Sequence, residues 1–228
     1  MTLGDEDRAF KSFVIFNCIL VWVVLVSLKC CEAEASETVV SPADMTVGVL
    51  RSMKNRPWVV CGKVLSDEER ISEAWSISKA LYREYKSEER RYSIWGILAI
   101  MRHESAFDSC ALGIRPRKWG YAKKMLKPSK KGVSHSLNEV TSFISNKAAT
   151  RAFKTGFDLG LCQPLSGWYY RGEEEKALTV EGGVAFCLRA ADMKGGKEPW
   201  LFWKGTKPSV RYKKRIDKIM SIMKGHKK

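Results

Sequence analysis

Histidine is scarce in this chain. Only His103, His135 and His226 occur among its 228 residues, and they lie far apart. No cysteine pair has the spacing of a zinc ligand set, so no metal centre is expected, and no cofactor is implied. A GxSxG nucleophile elbow and a phosphate-cradling glycine loop are both missing, which removes two common hydrolase and nucleotide-binding signatures. The chain has no internal repeat. Acids are also in short supply. There are 25 Asp and Glu against 40 Lys and Arg, for a net charge of +15 and an isoelectric point near 9.6. That surplus directs the chain to a polyanionic partner: nucleic acid, anionic lipid or cell wall.

The one extended apolar run is short for a membrane span. It covers Phe13 to Leu28, "FVIFNCILVWVVLVSL", with only Asn17 and Ser27 as polar residues. Its length suits the apolar core of a secretory signal. Lys29 ends it, and Ala33-Glu34-Ala35 offers a small-x-small cleavage site before Ser36. The leading segment departs from the usual pattern, with three acids against two bases. Residues 1–35 are therefore expected to be a signal peptide or a retained membrane anchor, with the rest exported to the periplasm or beyond. Without them the net charge is +17, and Cys61, Cys110, Cys162 and Cys187 remain. Four cysteines allow three pairings, which the sequence does not rank, and four buried free thiols are the alternative.

Ser36 to about residue 60 reads as a linker or N-terminal arm. Residues 61–228 read as one mainly α domain with a small irregular or β region and a basic insertion at about 110–135. A capping box at Ser66 and Glu69 opens a helix, with Ile71, Ala74, Trp75, Ser78, Leu81, Tyr82 and Tyr85 on one face. A second capping box, Ser136 and Glu139, marks a short helix to Ile144. Further helices are expected over about 183–193 and from Pro208 to Gly225. Between Asp108 and Glu139 there is no acid, while eight lysines and arginines occur, with Trp119 and Tyr121 among them. This stretch is either a solvated loop or one that grips a ligand.

A helix over about 92–104 is apolar nearly all round, which marks it as buried. Its last turn carries Glu104. Burying a carboxyl group costs several kcal/mol unless it is paired or stays protonated. Glu104 is accordingly expected to be an acid held in neutral form, and His103, about 100° round the helix, is no natural partner.

At this point the residues resemble a known family. "ILAIMRHESAFD" resembles the helix carrying the catalytic glutamate of the soluble lytic transglycosylases, with their Glu-Ser pair followed by an aromatic. "LGLCQPLSGW" is similar to that family's Gly-Leu-x-Gln turn, with Cys162 where methionine is usual. "TVEGGVAFCLR" resembles the later glycine-bearing helix, and "LFWKGTKPSVRYKKRI" the closing Tyr-Asn-x-Gly segment and its tyrosine helix. The blocks keep the family's order. Phe202 stands in place of the tyrosine and Trp203 in place of the asparagine. The interval from Glu104 to Gly160 is longer than in the family because the basic stretch lies inside it, an insertion with small thermodynamic cost.

The resemblance implies a lysozyme-like fold and cleavage of the β-1,4 bond between N-acetylmuramic acid and N-acetylglucosamine, leaving 1,6-anhydro ends. It makes Glu104 the catalytic acid and base. Ser105 would sit near the carboxyl group or cap the helix. Gln163 would face sugar acetamido or hydroxyl groups, or simply hold its turn. Phe202, Trp203 and Tyr212 would stack on sugar faces, or pack in the core. Peptidoglycan is the expected partner of a monomer, and nucleic acid is not, given the export signal. The alternatives are a muramidase using Asp108 or Asp158 as second carboxylate, an inactive wall-binding module, and a nucleic-acid binder acting through Arg115 to Lys131.

Overall fold

The computed structural model describes residues 40–113, 135–146, 158–163, 172–205 and 207–226. The expected signal or anchor over residues 1–35 and nearly all of the basic stretch lie outside them. Where a linker was expected, the chain forms helix α1, Pro42–Met53. Ser41 caps it, Asp44 completes a capping box and Pro42 takes the first turn. Met45, Val49 and Met53, four residues apart, are fully buried. That apolar stripe docks on other helices, so the segment belongs to the folded domain.

A two-stranded hairpin follows, β1 (Val59–Val60) paired antiparallel with β2 (Lys63–Val64). Its turn residues Cys61 and Gly62 have φ of 49° and 81°, as a tight hairpin with right-handed twist requires. Helix α2, Asp67–Lys86, opens with the expected Ser66–Glu69 capping box. Its buried face is the expected one in part, with Ala74, Ser78 and Leu81 inside and Tyr82 and Tyr85 half-buried. Ala74, Ile77, Ser78, Ala80 and Leu81 are inside, whereas Ile71 and Trp75 are 55% and 41% exposed. Small residues on that face let α1 and the later helix α5 come close, and the large indole is left outside. There Lys79 lies 5.7 Å over its ring.

Helix α3, Ile94–Glu104, is buried along Ile94 and Gly96 to Met101, as its apolar sequence implies. Gly96 is needed for close approach: a Cβ there would stand 2.1 Å from the ring of Trp200. Helix α4, Leu137–Ile144, has the expected Ser136–Glu139 cap. Two short strands, β3 (Leu112–Gly113) and β4 (Asp158–Leu159), pair antiparallel. Thus the chain up to Gly113, inside the expected insertion, is part of the fold. Helix α5, Val180–Lys194, is capped by Thr179, and α6, Val210–Lys224, ends at the left-handed Gly225. Helices α1, α5 and α6 pack on α3, and a 3-10 turn, Pro199–Phe202, leads into α6. The fold is mainly α with a small β region, as expected. Among the described residues, no helix is long and apolar enough to cross a membrane.

Candidate active site

Helix α3 stops abruptly. Glu104 is its last residue, and Ala106 and Phe107 adopt left-handed φ of 56° and 64°. Two consecutive non-glycine residues in that region cost on the order of 1–3 kcal/mol each. The surroundings over-determine them. Phe107 is fully buried, its ring 5.7 Å from that of Trp58. Buried Asp108 accepts on Oδ1 from the backbone N–H groups of Cys61 and Cys110, both at 3.0 Å. A disulfide joins the same two cysteines. Asp108, considered as a second carboxylate, is thereby engaged in holding the hairpin turn to the end of α3.

The Glu104 carboxylate is placed by this clamp, and its side chain is 7% exposed. The Tyr212 hydroxyl donates to Oε1 at 2.6 Å, and the Lys204 ammonium donates to Oε2 at 2.6 Å. The expectation of an acid isolated in hydrocarbon needs correction. Each oxygen meets a donor, one of them charged, because α6 and the turn before it close over the end of α3. Tyr212 sits on the first turn of α6, beyond its N-cap Ser209. Burial first, then the neighbouring Glu104 charge and hydrogen bond, push its ionisation far above the ordinary phenol range. It therefore remains a donor at all working pH values. His103 packs edge-on to the Tyr212 ring at 5.1 Å. Burial holds that imidazole below its usual pKa, although Glu104 pulls the other way.

The Gly160–Gln163 turn lies against the same helix end. Ser105 Oγ donates to Leu161 O at 2.7 Å, with Met101 O at 3.1 Å as the alternative acceptor. Ser105 thus ties helix to turn. Trp203 Nε1 donates to Cys162 O at 3.3 Å, and a disulfide joins Cys162 to Cys187 of α5. Gly160 has φ of 69°, and a Cβ there would stand 2.4 Å from Ala177 O. Gln163, also left-handed at 49°, donates through Nε2 to Ala111 O at 2.8 Å and Gly160 O at 3.1 Å. Both amide hydrogens are used on backbone, so the side chain holds the turn, the second of its two expected roles.

Of the residues singled out from sequence, the structure brings Glu104, Ser105, Trp203 and Tyr212 to one place, with Gln163 closing the adjoining turn. Tyr212 is buried, so it does not offer a face for stacking; its hydroxyl holds Glu104 instead. Trp203 and Phe202 are half-buried at the end of the 3-10 turn. Asp158 stands on β4 opposite Gly113. Sequence reading missed Lys204. It lies inside the "LFWKGTKP" stretch, but nothing local in that stretch signals a partner 100 positions away. Among the described residues, the one close cluster of metal-type ligand atoms is Cys61, Asp108 and Cys110, and its sulfurs are joined to each other.

Comparison with known protein families, curated proteins and solved structures finds no match to this chain. The site stands on its own geometry: a nearly buried carboxylate at a helix end, gripped by a phenol and an ammonium.

Proposed function

We propose that this protein is an exported peptidoglycan lytic transglycosylase with a lysozyme-like arrangement and Glu104 as its acid and base. One observation carries the reading. The four sequence blocks that resemble the family, far apart in the chain, are tied together around Glu104 by hydrogen bonds and a disulfide. The basic surface favours adsorption to an anionic wall. Two disulfides support an oxidising compartment, in line with residues 1–35 as signal peptide or anchor.

In the reaction, Glu104 gives its proton to the bridging oxygen as the C1–O bond of N-acetylmuramic acid breaks. The departing N-acetylglucosamine keeps that proton as its 4-hydroxyl. The acetamido oxygen of the muramic residue closes on C1, and the 6-hydroxyl of the same sugar then displaces it. The hydroxyl proton passes to Glu104, which is ready for another cycle. One carboxylate suffices, whereas ordinary retaining and inverting hydrolysis needs two. The engagement of Asp108 with two backbone amides supports the one-carboxylate route.

Digestion of purified wall followed by mass analysis tests this. Wild type is expected to release 1,6-anhydro-ended fragments, and Glu104→Gln to lose activity by at least about 100-fold. Reducing ends would make the protein a hydrolase. No release by wild type would leave a wall-binding module.

A further inference from the structure

Lys204 and Glu104 are unequal partners. The carboxylate side chain is 7% exposed and the lysine side chain 53%. When such a pair opens, the ammonium returns to water at little cost, while the carboxylate stays in the site. Its other donor among the described residues is the Tyr212 phenol. A ligand that removes Lys204 would therefore uncover one oxygen of Glu104.

The surroundings let this happen. Lys204 lies between Trp203, whose indole is fixed to Cys162 O, and Gly205, where no atom of the described residues beyond its chain neighbours stands within 4 Å of a Cβ position. Its ammonium lies 5.6 Å from the Tyr212 ring centre. Among the described residues, Glu104 is the acid that Lys204 pairs with. Once displaced, it is an uncompensated cation in a chain of net charge +15, and an anionic group on the ligand is its natural partner.

We propose that Lys204 passes from Glu104 to a carboxylate of the bound glycan strand, and that this transfer holds the strand beside the Glu104 oxygen it uncovers. The inference rests on the transglycosylase reading above. Wall strands carry carboxylates on their stem peptides, and on the lactyl ether where the peptide has been removed. Lysine, a compact point charge on a long stem, can meet either geometry. Lys204 is here a positioning residue and a determinant of specificity.

The test compares cleavage of four substrates: intact wall, amidase-stripped glycan strands, and each of these after amidation of its carboxylates. Wild type is expected to lose roughly tenfold in kcat/KM on amidation of whichever source is used, the worth of one charge-assisted contact. Lys204→Met should bring native substrate down to the amidated level, mainly through KM, and Lys204→Arg should restore part of the preference. Because the side chain is half exposed, both variants should keep the wild-type circular dichroism spectrum. A Lys204→Met variant that keeps the full preference for native substrate overturns the inference while leaving the transglycosylase reading intact. Wild type that cleaves neither form overturns both.

Discussion

The hydroxyl of Tyr212 is the smallest feature on which the site depends. It donates to Glu104 Oε1 from a buried ring, and His103 backs that ring. Tyr212→Phe keeps the packing and removes one donor to a nearly buried carboxylate, a loss of about 1.5–3 kcal/mol. On the transglycosylase reading, kcat should fall roughly 10- to 100-fold. Tm should fall by about 3–12 °C, which thermal unfolding beside wall digestion will show. An unchanged kcat would mean that the phenol does not orient the acid. Glu104 itself was legible in the sequence because a single acid ended an otherwise apolar helix. The partners of Glu104 were not. Tyr212 read as an aromatic surface, since a phenol's ring and its hydroxyl call for different surroundings and one-dimensional spacing does not say which of them matters. Lys204 read as one base among many.

Among the elements, the helices whose signals are local were read correctly. Ser66–Glu69 and Ser136–Glu139 each satisfy two helix-end groups within four residues, so context does not disturb them. Helix α1 carries the same signal at Ser41 and Asp44, but was passed over as an arm because its apolar stripe is short. The face of α2 was read correctly at Ala74, Ser78 and Leu81 but not at Ile71 and Trp75, which packing against α1 and α5 leaves outside while Ile77 and Ala80 turn in. That packing has a consequence for Glu73 of α2, whose Oε1 is buried without a hydrogen-bond partner among the described residues. Burial, followed by the charges of Asp108 and Glu181, raises its pKa. The sign follows: the folded state holds this proton more tightly than the unfolded chain, so its stabilisation is present at low pH and is lost as pH rises through the raised value. Glu73→Gln should therefore raise Tm at pH 7 by about 2–4 °C, the equivalent of about 1 kcal/mol in a domain of this size. The gain should vanish near pH 4, where an ordinary glutamate is itself half protonated. Thermal unfolding at the two pH values checks this, and a gain that is equal at both would point to packing rather than charge.

On the scale of the whole molecule, the long-range constraints among the described residues are two disulfides, and their pairing could not be read before the fold was known. Cys61–Cys110 spans 49 positions and fastens the hairpin behind the end of α3. Cys162–Cys187 spans 25 and fastens the Gly160–Gln163 turn to α5. Only the folded chain brings α5 under the turn, with Gly183 close enough that a Cβ would meet Leu161 at 3.1 Å. The second bridge links stability to the site, since the turn it holds also takes the hydrogen bonds from Ser105 and Trp203. By the loop-closure argument, a bridge of that span contributes about 3 kcal/mol, so Cys162→Ala with Cys187→Ala should lower Tm by about 6–12 °C. Dithiothreitol should lower the wild-type Tm further, because it opens both bridges, and should lower the double variant by the share of Cys61–Cys110 alone. Differential scanning calorimetry with and without reductant separates the two contributions. If the double variant matches oxidised wild type in both Tm and wall digestion, the packing of Leu161 on α5 holds the turn without the bridge.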